Sequence, residues 1–116
     1  MCLIAFAIGQ NPRFPLVVAA NRDEFFRRPT AAMDWWQAES GQHLLAGRDL
    51  ASGGTWLAIS ANGQVAAVTN VREGSPETGR SSRGELPVRA LAEPASVLGA
   101  ALNSEPDRYA GFNLVS

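Results

Sequence analysis

The sequence predicts an α+β fold, an antiparallel sheet with helices on one face. Two observations carry that prediction. Short apolar runs punctuated by turn residues fill the first seventy or so positions, and an amphipathic helical stretch follows before one last apolar run. Strands first, helices later and a strand again is the order of an antiparallel sheet with one covered face, not of alternating βαβ units. The 116 residues suffice for one domain with a modest core and not for two.

The elements follow in order. Residues 2–8 (Cys-Leu-Ile-Ala-Phe-Ala-Ile) are apolar on both faces, which predicts a central strand buried on two sides. Gly9-Gln10-Asn11-Pro12 turns the chain into a second strand, Pro15–Ala20. In-register pairing of the two sets Cys2 level with Asn21-Arg22-Asp23-Glu24 at the far end. Residues 25–43, with Pro29 and the pair Trp35-Trp36, read as irregular. A third strand is expected around Leu44–Gly47. Gly53-Gly54 opens the run Thr55–Ser60, which Ala61-Asn62-Gly63 folds back into Gln64–Asn70, Asn-Gly being a strong hairpin signal. Residues 71–84, including Arg72, Glu73, Gly74 and Pro76, read as a long polar loop of the kind that often carries function.

Glu85–Glu93 and Ala95–Asn103 fit two short helices or one broken at Pro94. Leu86, Ala90, Leu91, Val97, Leu98, Ala101 and Leu102 give them an apolar stripe suited to a sheet. Tyr109–Ser116 reads as a further strand, and a chain that stops inside an apolar strand reads as a truncated one.

Composition removes several function classes. A net charge of −1 gives no electrostatic footprint for nucleic acid or an anionic membrane. The apolar start is too short to span a bilayer and lacks the basic flank of a signal peptide. The single cysteine rules out an internal disulfide and fits a reducing compartment, so a cytoplasmic location is expected. No second Cys or His stands at metal-ligand spacing from His43, so neither a zinc site nor another bound cofactor is expected.

That cysteine is Cys2. A small residue behind the initiator normally allows Met1 to be trimmed, which would give Cys2 a free α-amine beside its thiol. The two groups titrate near ~8 and ~8.5, so each can serve the other at neutral pH. A nucleophile carrying its own base is one solution to acyl transfer; the plainer alternative is a small apolar residue at a strand start. Asp23 could position the Cys2 amine, with Arg22 available to a substrate carboxylate or a buried pair, or the cluster could be a solvated strand end. Asn70 could donate to an oxyanion or simply begin a turn. Gly53-Gly54-Thr55-Trp56 could mark a ligand contact at Trp56 or only a loop leading into a strand. Ser81-Ser82-Arg83-Gly84 reads as a helix start, with Arg83 able to meet an anionic ligand.

Six segments then act together. Cys2, Asn21-Arg22-Asp23-Glu24 with Arg28-Pro29-Thr30, Gly53-Gly54-Thr55-Trp56-Leu57, Thr69-Asn70-Val71-Arg72, Ser82-Arg83-Gly84-Glu85-Leu86 and Gly111-Phe112-Asn113-Leu114 occur in series. In this order and at these separations the chain resembles the NRDE family, the Transport and Golgi organisation protein 2 homologues. Members are roughly twice the size of a small domain of this length, so the resemblance implies the N-terminal half of a larger domain. The family is similar to N-terminal-nucleophile hydrolases with an αββα sandwich and to choloylglycine-hydrolase-like amidases. Carried across by position, the resemblance implies Cys2 as nucleophile, Arg22 and Asp23 in support, and Asn70 at the oxyanion. The adjacent Arg-Asp departs from the wider spacing in the amidases. Relatives are also linked to secretory-pathway organisation and haem trafficking. Two functions are therefore expected as alternatives: a cysteine amidohydrolase acting on a small-molecule, non-peptide amide, or a non-catalytic carrier in which Cys2 is structural or a soft ligand to a haem-like group. Sequence sets no oligomeric state.

Overall fold

The computed structural model describes residues 2–71 and 79–116. In chain order the elements are β1 (Ile4–Asn11), β2 (Phe14–Ala20), β3 (Thr30–Gln37), β4 (His43–Asp49), β5 (Leu57–Ser60), β6 (Val65–Asn70), α1 (Glu85–Ala92), α2 (Ala95–Ser104) and β7 (Phe112–Val115). The fold is α+β, and its strands divide between two antiparallel sheets instead of forming one. β1 and β2 make a two-stranded sheet, and the other five run in the order β3-β4-β5-β6-β7. Met1 and the expected loop residues Arg72, Glu73, Gly74 and Pro76 lie outside the described residues.

Alternation along the strands decides where the core lies. Leu44 and Ala46 of β4, Ala58 of β5 and Ala66 of β6 share one face of the larger sheet and are fully buried beneath Leu91 of α1. Val68, Leu86 and Tyr109 form a second cluster, joined by Leu102, Phe112 and Leu114. Small alanines at the sheet centre let α1 approach β5 and β6 closely. α1 thus covers the face that the apolar stripe anticipates, through Leu86 and Leu91, and α2 packs beside it with Leu98 buried and Leu102 against the second cluster, whereas Val97 is exposed. Pro94 separates the helices from the position preceding α2, and its carbonyl accepts from the N–H groups of Val97 and Leu98.

Two expectations are corrected. Residues 2–8 are not a strand buried on two sides: among the described residues β1 pairs only with β2, and Leu3 and Ile8 are 68% and 71% exposed. The run is apolar because both of its faces are apolar, and that property does not itself supply a neighbour. Residues 25–43 are not irregular, since β3 occupies Thr30–Gln37 and pairs with β4 across a bulge between Ala31 and Asp34. The bulge interrupts the two-residue period that would have revealed the strand. Trp36 packs against the core and donates its indole N–H to the Ala46 carbonyl at 3.1 Å, while Trp35 faces out. Residues 81–84 lead directly into α1, as their sequence predicts. Gly84 precedes the helix without a side-chain cap; the Ser82 hydroxyl accepts from the Gly84 N–H, and its carbonyl accepts from Glu85.

The β5–β6 turn forms as its residue types require. Gly63 adopts φ +85°, in the left-handed region, and closes a three-residue loop through the Ser60–Gln64 backbone pair. The final run narrows to β7, whose Phe112 lies opposite Asn70. Among the described residues, no helix is long and apolar enough to cross a membrane.

Candidate functional site

Ile4 pairs with Ala20, and the ladder continues past the strand ends: the Asn21 N–H donates to the Leu3 carbonyl, and the Leu3 N–H donates to the Asn21 side chain at 2.7 Å. That register brings Cys2 beside Arg22 and Asp23. The Asp23 N–H points at the Cys2 sulfur, 3.5 Å away, and the thiol is partly buried. The sulfur thus accepts a long hydrogen bond from the backbone, with no side chain involved.

A cleft of about 380 Å³ opens where the hairpin meets the larger sheet. Cys2, Arg22, Asp23, Trp56, Asn70 and Arg83 all line it, although they come from five separate stretches of chain. Asn70 ends β6 and is exposed; among the described residues no partner engages its carboxamide. Arg83 donates to the Gly111 carbonyl at 2.9 Å, which ties the start of α1 to the start of β7. Of the two partners expected for Arg22, the structure provides the buried pair. Its guanidinium donates to Asp49 at 3.0 Å and to the Thr30 hydroxyl at 2.6 Å, and lies 4.3 Å from the centre of the Trp56 ring. Trp56 thus gives one face to Arg22. Its edge lies over Gly47, where a Cβ would come within 2.7 Å of the ring.

Asp49 is the residue that sequence reasoning missed. It is 8% exposed and accepts from Arg28 at 2.6 Å as well as from Arg22. Its other oxygen accepts from the N–H groups of Ala51 and Ser52. Burial works to raise the Asp49 carboxyl, but the Arg28 hydrogen bond and the two backbone donors outweigh it and hold the group below the usual carboxylate range. The Asp49 hydrogen bond raises Arg28 correspondingly, against its own partial desolvation. The available signal was local. Asp49-Leu50-Ala51-Ser52-Gly53-Gly54 is the sequence of a side-chain-closed turn.

Gly54 makes a close backbone approach, though not to a ligand. It meets Gly84, whose carbonyl accepts the Thr55 N–H at 3.0 Å. This junction seats the loop before β5 against the start of α1 and so closes the wall of the cleft bearing Trp56 and Arg83. Among the described residues no group of three His, Cys, Asp or Glu side chains could hold a metal ion.

Comparison with known proteins gives a consistent result. The family profile described as Transport and Golgi organisation 2 matches residues 1–116. A Bos taurus protein named Transport and Golgi organization protein 2 homolog is 37% identical over 125 residues, covering all of this chain and 45% of the relative. The Mus musculus homolog is 35% identical with the same coverage, and the Drosophila melanogaster Transport and Golgi organization protein 2 is 33% identical over 130 residues. The chain spans less than half the length of these relatives.

Proposed function

The chain belongs to the Transport and Golgi organisation 2 family, and on that premise we propose that it works as a cysteine N-terminal-nucleophile amidohydrolase on small, non-peptide amides. The observation that carries this reading is the meeting of Cys2, Asp23 and Asn70 in one cleft, with a backbone N–H on the sulfur. With Met1 removed, the Cys2 α-amine takes the thiol proton as sulfur attacks the amide carbonyl. Asp23 positions that amine, and the Asn70 carboxamide donates to the oxygen as it gains negative charge. Collapse breaks the C–N bond, the protonated α-amine gives its proton to the leaving amine, and water then hydrolyses the thioester. Arg83 and Trp56 are the substrate-facing residues of this scheme, and Arg22 supports the chain beside Asp23. A reducing compartment such as the cytoplasm keeps Cys2 as the free thiol the reaction needs.

The test is a screen of small amides against the wild-type protein and Cys2→Ala, with intact mass measured on both. Amine release by wild type alone, with Met1 absent and an acyl adduct on Cys2, is the expected result. Retention of Met1 on the mature protein would remove the proposed base and refute the scheme.

A second reading is a carrier for a haem-like ligand, in which the Cys2 sulfur lining the cleft serves as a soft ligand. Under it, titration with haem gives a Soret shift that Cys2→Ser alters, and no amide is turned over.

A further inference from the structure

We propose that Asp49 is the positioning residue of the Cys2 cleft, holding Arg22 so that the following peptide N–H, that of Asp23, stays aimed at sulfur. The proposal rests on the reading of Cys2 as the reactive group of the cleft. Its geometry is independent of any substrate.

The hairpin is a separate sheet, so something outside the β-ladder must fix its far end against the larger sheet. Asp49 stands at the last position of β4 and is held there from its own side by the Ala51 and Ser52 N–H groups and by Arg28. From this anchored carboxylate, Arg22 is gripped at 3.0 Å with side chains only 19% and 12% exposed. Thr30 and the Trp56 ring fix the remaining edge and face of the guanidinium. A planar fork with three fixed contacts has little freedom, and Arg22 is covalently the neighbour of Asp23. Displacement of the Arg22 backbone, which carries this peptide, would take the donor off the sulfur and break those contacts. Asp49 touches neither the thiol nor an incoming amide in this scheme; it acts through Arg22.

Three variants test this in the intact protein: Asp49→Asn, Asp49→Glu and, as a control, Glu93→Gln. Glu93 makes a two-pronged pair with Arg89 on α1 and is absent from the cleft lining. The first readout is the rate of Cys2 alkylation by iodoacetamide at fixed pH. The second is the response of the Asp23 amide resonance to that alkylation in a ¹⁵N-labelled sample. Asp49→Asn is expected to slow alkylation about 2- to 10-fold, the range spanned by one ordinary hydrogen bond, and to abolish the Asp23 response. Asp49→Glu restores part of both, and Glu93→Gln leaves both at wild-type values. If Asp49→Asn does not fold, Arg22→Lys, which keeps the charge and loses the fork, is read the same way. Unchanged or faster alkylation with a preserved Asp23 response overturns the proposal, as does equal slowing by Glu93→Gln. Neither readout needs turnover, so failure to find amidase activity leaves this result standing.

Discussion

Replacing Gly54 with alanine tests the junction that closes the cleft wall. A Cβ at this position would lie 2.5 Å from the Gly84 carbonyl oxygen and 2.8 Å from its Cα. These neighbours are backbone, so no side-chain rotation can make room. Either the loop before β5 or the start of α1 must shift, and the Thr55–Gly84 hydrogen bond at 3.0 Å is stretched in the process. Overpacking costs about 1–3 kcal/mol, and a buried N–H left without its acceptor adds about 1 kcal/mol. The expected loss is therefore about 2–4 kcal/mol, a large share of the roughly 5–15 kcal/mol that holds a typical domain together. Urea unfolding followed by far-ultraviolet circular dichroism measures it as a lower midpoint at unchanged slope. Gly99→Ala is the internal comparison. Gly99 lies inside α2 with nothing within 4 Å of a built Cβ, so alanine there should stabilise by about 0.5–1 kcal/mol. A Gly54→Ala protein within about 0.5 kcal/mol of wild type, well short of the usual cost of overpacking, would refute the close-approach argument.

Other outcomes follow from the same structure. Asp49 is held below its ordinary value of 3.8, so the unfolded chain takes up the proton first. Its contribution to stability is complete above 3.8 and is lost as pH falls through the depressed folded value; acid titration of Asp49→Asn should accordingly show a flatter decline than wild type. Leu86→Ala empties a fully buried position between α1 and β6 and should cost about 2–5 kcal/mol in the same urea experiment. Asn70→Ala, measured on whichever amide the wild type turns over, should lower kcat about 10²- to 10³-fold with the fold intact by circular dichroism.

The α+β class, both hairpins and the two helices were legible because each rests on a local signal: apolar runs joined by turn residues, Asn62-Gly63, and a stripe through Leu86, Leu91 and Leu98. The residues lining the cleft were legible as a series of motifs, each too short to reveal its role without the others. β3 escaped because its bulge breaks the alternation. The exposure of β1 escaped because an apolar run reports what a strand could bury and not what lies beside it. Asp49 escaped for a third reason. Its importance comes from Arg22 and Arg28, which are 27 and 21 residues away in the chain, and no short window contains all three.

Among the described residues the β1–β2 ribbon leaves both of its long edges open to a further strand. Its outer edges expose N–H and C=O groups that no other described strand pairs, and Phe14, Leu16 and Val17 sit exposed along one of them. Such an edge is a template for strand addition between molecules, the route by which sheets grow into aggregates. Arg13, at the turn, is the only charged residue between positions 2 and 21. Arg13 is therefore the single charge set against strand addition along this ribbon, whether the added strand belongs to the same chain or to another molecule.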